Sequence, residues 1–241
     1  MLDYAKARGW RTGENPARWR GHLANLMPAR KKIAAVVHHP AIPWQQIAAF
    51  LADLRKRDGS AALALEFTIL TAARTGETLG ARWTEIDMAE AVWVVPAERM
   101  KMKKEHRVPL SDAALAVLRK AADMRTNRAP NAPVFPGQRP GQPLSAMALM
   151  MLLRRMGRGD LTVHGFRSSF KDWASERTSY AREVSEAALA HIVADKVEAA
   201  YRRGDLFEKR RRPMADWAAF CARPAPEAGQ LVPIRAGRTP V

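Results

Sequence analysis

The chain has 241 residues, 47% of them apolar, which suffices for one large domain, or one domain with a fragment of another, and excludes a wholly disordered polymer. Forty Lys and Arg against 24 Asp and Glu leave a formal charge of +16, so a polyanion is the expected partner and nucleic acid the first candidate. A single cysteine, Cys221, excludes an intramolecular disulfide and a Cys-rich metal site. No apolar run approaches a membrane span and no signal-peptide core opens the chain, so a soluble, intracellular protein is expected.

The charge is uneven. Residues 41–98 hold five basic and eight acidic side chains, whereas residues 1–40 hold eight basic and two acidic. The segments 99–107 (RMKMKKEHR) and 202–212 (RRGDLFEKRRR) are dense in cations. Localised patches of this kind suit a face that docks on phosphates rather than a uniformly basic scaffold.

Taken in chain order, residues 1–38 read as a short helix and loop without a core of their own. Pro43 occupies a helix first-turn position. Apolar residues at 44, 47, 48, 51 and 54 then predict a helix running toward Gly59. A second helix, rich in Ala and Leu, is expected over 60–73, and ETLGARW as a third, short one. The period changes at VWVVP (92–96) and HRVPL (106–110), two predicted strands of a small antiparallel sheet around a lysine-rich connection. Ser111 and Ser145 are expected to cap helices reaching about Arg125 and Met156, with a Pro- and Gly-containing loop from Arg128 to Pro143 between them. Thr162 is expected to cap a helix carrying His164 and Arg167, and Asp195 one carrying Tyr201. A last amphipathic helix over 206–222 places Met214, Trp217, Ala218 and Cys221 on one face. Residues from Pro224 onward are expected to be disordered. The fold class is mainly α with a small antiparallel β-sheet.

Chemistry concentrates between His164 and Tyr201. HGFRSSF (164–170) sets a His and an Arg at i and i+3, on one helix face. LAHIVADKVEAAYRR (189–203) adds His191 and a tyrosine flanked by Arg202 and Arg203. A tyrosine, with a pKa near 10, is a poor nucleophile unless neighbouring cations hold a phosphate for it to attack. The combination points to phosphoryl transfer through a covalent phosphotyrosine. Two earlier segments supply more cations: TAARTGETLGARWTEID (71–87) and KMKKEHRVPL (101–110). Each has an ordinary alternative when read alone. Arg74 could be a surface residue paired with Glu77 or Glu85, the lysines a solvated turn, and Tyr201 an amphipathic-helix residue.

These four segments, in this order, resemble the catalytic domain of the tyrosine recombinases, the phage integrase family, with wording most similar to integrases of prophages and genomic islands. The resemblance covers about residues 38–222 and implies the DNA breaking-rejoining fold. It implies that Arg74 and Arg167 hold the scissile phosphate, that Glu77 buttresses the site and that His191 binds a phosphate oxygen. His164 takes part in proton transfer or phosphate holding, and Tyr201 is the nucleophile. Lys101, by its spacing to Val108-Pro109, is the general acid for the departing 5′ oxygen, with Lys103 as the open alternative. Lys103, Lys104, Arg107, Arg202 and Arg203 are implied DNA contacts. The ten-residue step from His191 to Tyr201 suits this branch, where many relatives have nine.

No metal and no nucleotide cofactor is implied: fixed cations hold the phosphate, and neither a Gly-rich phosphate loop nor companions at ligand spacing for His38 and His39 occur. The implied partners are double-stranded DNA, further copies in a homotetramer docking through residues 206–222, and accessory DNA-bending or directionality proteins. The resemblance also makes residues 1–38 the tail of a core-binding domain, residues 39–223 the catalytic domain and residues 224–241 a disordered tail. A recombination-incompetent DNA-binding remnant and a type IB topoisomerase-like enzyme are the alternative readings.

Overall fold

The computed structural model describes residues 1–27, 40–139, 141–191 and 204–223. The chain divides into two units, Met1–His38 and His39–Val241. In the first, a helix over Leu2–Ala7 is followed by a helical stretch, Trp19–Leu23, broken by non-helical backbone at Arg20 and Gly21. None of residues 1–27 is buried, and Trp10 and Trp19 lie exposed.

The second unit starts its helices behind Pro43 with a 3-10 turn, Trp44–Gln46, continued as α1 (Ile47–Leu54). The apolar period turns Ile47, Phe50, Leu51 and Leu54 inward. α2 (Ser60–Thr71) is the central helix and is buried on nearly every side, which accounts for its Ala- and Leu-rich composition. Its polar residues are satisfied within the core. Thr68 and Thr71 donate to the carbonyls of Ala64 (2.7 Å) and Phe67 (2.6 Å), and Glu66 accepts from Arg55 at 2.7 Å. α3 is short, Thr75–Leu79.

Three antiparallel strands follow in the order β1 (Ile86–Asp87), β2 (Val92–Val95), β3 (His106–Pro109). The β2–β3 register sets Trp93 opposite Val108 and Val95 opposite His106, with Trp93 and Val95 facing the core. The two predicted strands are present, and β1 is additional: at two residues it is too short to show alternation.

Ser111 caps α4 (Asp112–Asp123) through its hydroxyl, which accepts from the Ala114 N–H at 3.3 Å. Ser145 stands at the start of α5 (Ala146–Arg155), as expected, but its side chain makes no cap bond. α6 spans Gly165–Arg177, α7 Arg182–Ala188 and α8 Phe207–Cys221. No described helix is long and apolar enough to cross a membrane.

The apolar face of α8 packs against its own chain. Trp217 is fully buried, lies 5.0 Å from Trp173 between ring centroids, and donates its indole N–H to the Ile69 carbonyl at 2.8 Å. Met214 and Cys221 are buried beside it, and burial pushes the Cys221 thiol well up from its ordinary range. This helix therefore completes its own chain's core. Removing one such tryptophan contact set costs about 3–5 kcal/mol. Asp195 and the tail from 224 onward lie outside the described residues.

Candidate active site

Two helix ends and two helix starts converge on the arginines. α2 closes with Ala72 in the left-handed conformation (φ 50°), which turns the Ala72 carbonyl away from the helix. Two residues on, Arg74 is the extended N-cap of α3. The buried Glu77 carboxylate accepts the Arg74 backbone N–H at 2.9 Å and its Nη1 at 2.7 Å, so one acid fixes both ends of the arginine. The surface alternative expected a pair of this kind. Here the pair serves to aim the guanidinium.

α6 is pinned at its start. The Thr162 hydroxyl accepts the Gly165 N–H at 3.0 Å and donates to the Pro40 carbonyl at 3.2 Å, while Ser169 donates to the Ile42 carbonyl. Gly165 is obligatory here: a Cβ would sit 2.1 Å from the Pro40 oxygen. These contacts set the register that sends Arg167 inward and leaves His164 exposed one turn earlier. Arg167 is 4% exposed, donating Nη1 to the Ala72 carbonyl and Nη2 to the Leu189 carbonyl at 2.5 Å.

The Leu189 carbonyl is available because of how α7 ends. The His191 N–H returns to the Glu186 carbonyl (3.0 Å) and the Ala190 N–H to that of Ala187 (3.1 Å), with Ala190 at φ 47°, a Schellman turn. The carbonyls of Leu189 and Ala190 are left to face the arginines. Arg74 Nη2 donates to Ala190 at 3.2 Å, with Leu189 at the long limit of 3.5 Å. Arg74, Arg167 and the turn entering His191 thus form one hydrogen-bonded unit. Burial, then the adjacent Arg74 charge, brings the Arg167 pKa down to about 10, so it stays protonated at neutral pH. Two close cations of this kind favour a bound anion.

The lysine hairpin reaches the same place. Arg99 donates Nη1 to the Glu77 carbonyl at 2.9 Å and Nη2 to the Glu85 carboxylate, which also accepts the Trp93 indole N–H at 3.0 Å. This ties the β2–β3 connection to α3. Beyond it, Lys101 and Lys103 line an open cleft together with Arg74, Gly76, Glu77 and Met100. Both lysines and Lys104 are exposed.

Arg107 has a different placement from the lysines. It pairs with Asp205 through two bonds of 2.9 Å and stacks 4.4 Å from the Phe207 ring, while the buried Arg210 donates to the Arg107 carbonyl (2.7 Å) and to Asp205 (3.2 Å). The cluster fastens the start of α8 to β3. The His191 ring sits with Nδ1 2.6 Å from a Glu186 carboxylate oxygen. Tyr201, Arg202 and Arg203 lie outside the described residues.

The model of the phage integrase family matches residues 42–205, about two thirds of the chain, with all four motifs inside it. The chain belongs to the phage integrase family. Similar curated members are prophage integrase IntA of Escherichia coli K12, 39% identical over 68% of this chain and 39% of that protein, and IntZ of the same strain, 36% identical over 75% and 44%. The chain spans less than half the length of these relatives. Solved recombinases share the fold. A lambda integrase (residues 75–356) dimer bound to a core site aligns over 81% of this chain and 69% of its own at TM-score 0.55 and 18% identity. XerA recombinase aligns over 73% and 66% at TM-score 0.54 and 18% identity.

Within this integrase fold the residues that sequence reasoning missed are those whose carbonyls accept from the arginines, Ala72, Leu189 and Ala190, together with Arg99 and Glu186. Backbone acceptors carry no residue signature. Glu186 had one: a carboxylate five positions before His191, at a helix end.

Proposed function

We propose that this chain carries the strand-cleaving and rejoining site of a tyrosine recombinase acting on double-stranded DNA, in the integration or excision of a mobile element. The Tyr201 phenolic oxygen attacks the scissile phosphorus, forming a 3′-phosphotyrosyl bond while the bond to the 5′ oxygen breaks. Lys101 gives its proton to that oxygen, with Lys103 as the alternative donor, and His164 assists proton movement. Arg74, Arg167 and His191 hold the non-bridging oxygens and balance the charge that builds in the transition state. Because the bond is conserved in the covalent link, the released 5′ hydroxyl of a partner strand rejoins by the reverse step without a nucleotide.

The observation that carries this reading is the meeting of Arg74 and Arg167 at the carbonyls of Leu189 and Ala190, on the turn that leads into His191. Lys103, Lys104, Arg202 and Arg203 are assigned to backbone phosphates. Arg107 is assigned to holding α8 through Asp205. Residues 39–223 are assigned as the catalytic domain and residues 1–38 as the tail of a core-binding domain. Assembly of several copies on DNA belongs to the proposal, supported by the likeness to a lambda integrase tetramer bound to a Holliday junction (TM-score 0.55, 18% identity, 85% of this chain and 56% of that one).

A nicked suicide duplex, which loses the 5′ product after cleavage, tests the reading. The wild-type chain should give a denaturant-resistant protein–DNA adduct and Tyr201→Phe none. No adduct with the wild type, or an adduct that persists in Tyr201→Phe, would overturn it.

A further inference from the structure

Glu186 grips His191 at two points. Its main-chain carbonyl accepts the His191 N–H at 3.0 Å, closing the turn, and its Oε2 lies 2.6 Å from the ring Nδ1. The other carboxylate oxygen is held by Lys171 Nζ at 2.8 Å, with Arg182 Nε at 3.6 Å, and Lys171 is itself fixed by donating to the Ser185 hydroxyl at 2.8 Å. The carboxylate is therefore held between α6 and α7, facing the ring. Burial opposes its ionisation, but the hydrogen bonds from Lys171 and His191 outweigh burial and hold its pKa below the ordinary carboxylate value. An ionised carboxylate only accepts, so the ring nitrogen facing it must be the N–H. The opposite nitrogen, Nε2, points away from Glu186, on a side chain that is 44% exposed.

We propose that Glu186 is a positioning residue of the integrase site: it orients the His191 imidazole and fixes Nδ1 as the protonated nitrogen, so that Nε2 is the atom offered to the scissile phosphate. This rests on the reading of His191 as a phosphate ligand. The arrangement follows the general logic of a carboxylate that sets the tautomer and angle of a working histidine. Lys171 anchors the acid and touches no reacting atom. The turn makes the tether efficient, because main chain and side chain of one residue hold main chain and side chain of another.

Two measurements test it. In single-turnover cleavage of the suicide duplex, Glu186→Ala should slow adduct formation on the order of ten- to a hundredfold with the half-saturating DNA concentration unchanged, and Glu186→Gln, which keeps an acceptor, should recover most of the rate. In a His191→Trp background the same Glu186→Ala change should have no further effect. A loss that persists in that background, or one carried by weaker DNA binding, would assign Glu186 to the fold and overturn the proposal. Independently of activity, nitrogen-resolved NMR of the histidine rings should show His191 protonated at Nδ1 in the wild type and tautomer exchange in Glu186→Ala. An unchanged ring signature would overturn the tether. A wild-type chain that shows the fixed ring but no adduct would instead refute the cleavage reading.

Discussion

Arg167 is 4% exposed, with both terminal guanidinium nitrogens on backbone carbonyls, whereas Lys101 and Lys103, lining a cleft with Arg74, stand in solvent on a hairpin. The contrast follows from what each cation is asked to do. Charge balance in a transition state gains most from donors fixed before the substrate arrives, because no reorganisation is then required during the reaction. Proton delivery to a leaving oxygen requires reach and rotamer freedom, which a long side chain on an exposed turn retains. The arginine half is accordingly wired into α2, α6 and α7, while the lysine half is tied to α3 at its base through Arg99.

The largest effect should come from the wired half. Arg167→Ala should lower the cleavage rate about a hundred- to a thousandfold, or about 3–4 kcal/mol of barrier. Arg167→Lys should fall nearly as far, since an ammonium lacks the fork that reaches both Ala72 and Leu189. Single-turnover adduct formation measures both, with far-ultraviolet circular dichroism as the control for folding. A lysine that restored the rate would break the contrast. On the exposed half, Lys101→Ala should slow cleavage roughly a hundredfold and Lys103→Ala only about threefold. A substrate whose leaving group needs no proton should rescue Lys101→Ala and leave Arg167→Ala slow.

Smaller effects lie at the roots of the two halves. His106 sits on β3 at the foot of the lysine hairpin, and burial, then the Arg210 charge, pulls its pKa down to about 4. The unfolded chain binds that proton below about pH 6.5, so stability is full above that value and declines as pH falls toward 4. His106→Asn should flatten this decline by on the order of 2 kcal/mol, as read from denaturant midpoints at pH 7 and pH 4.5. At the foot of the arginine half, Ala190 adopts φ 47°, a conformation that costs an L-residue and not glycine. Ala190→Gly should raise stability by about 0.5–1 kcal/mol, as read from denaturant midpoints.

The site's arginines were legible in the sequence through the resemblance carried by four ordered motifs, since spacing relates only residues within one helix or strand. Arg74 and Arg167, 93 residues apart in the chain, both donate to carbonyls of the turn that leads into His191. What holds them was not readable. The Ala72, Leu189 and Ala190 carbonyls belong to the backbone, and whether they face a guanidinium depends on left-handed helix ends that alanine does not announce. Arg107 reads as one more cation beside the lysines, yet Asp205, 98 residues away, claims it. Strand β1 is too short for a period, and amphipathicity alone does not say that α8 is buried against its own chain rather than a neighbour's.

Replacing one non-bridging oxygen of the scissile phosphate by a methyl group removes the charge that Arg167 is placed to balance, so this substrate tests the preorganised arginine pair most directly. The account predicts that Arg167→Ala, slow on the natural diester, cleaves the neutral analogue at close to the wild-type rate. An Arg167→Ala variant equally impaired on both substrates would contradict it.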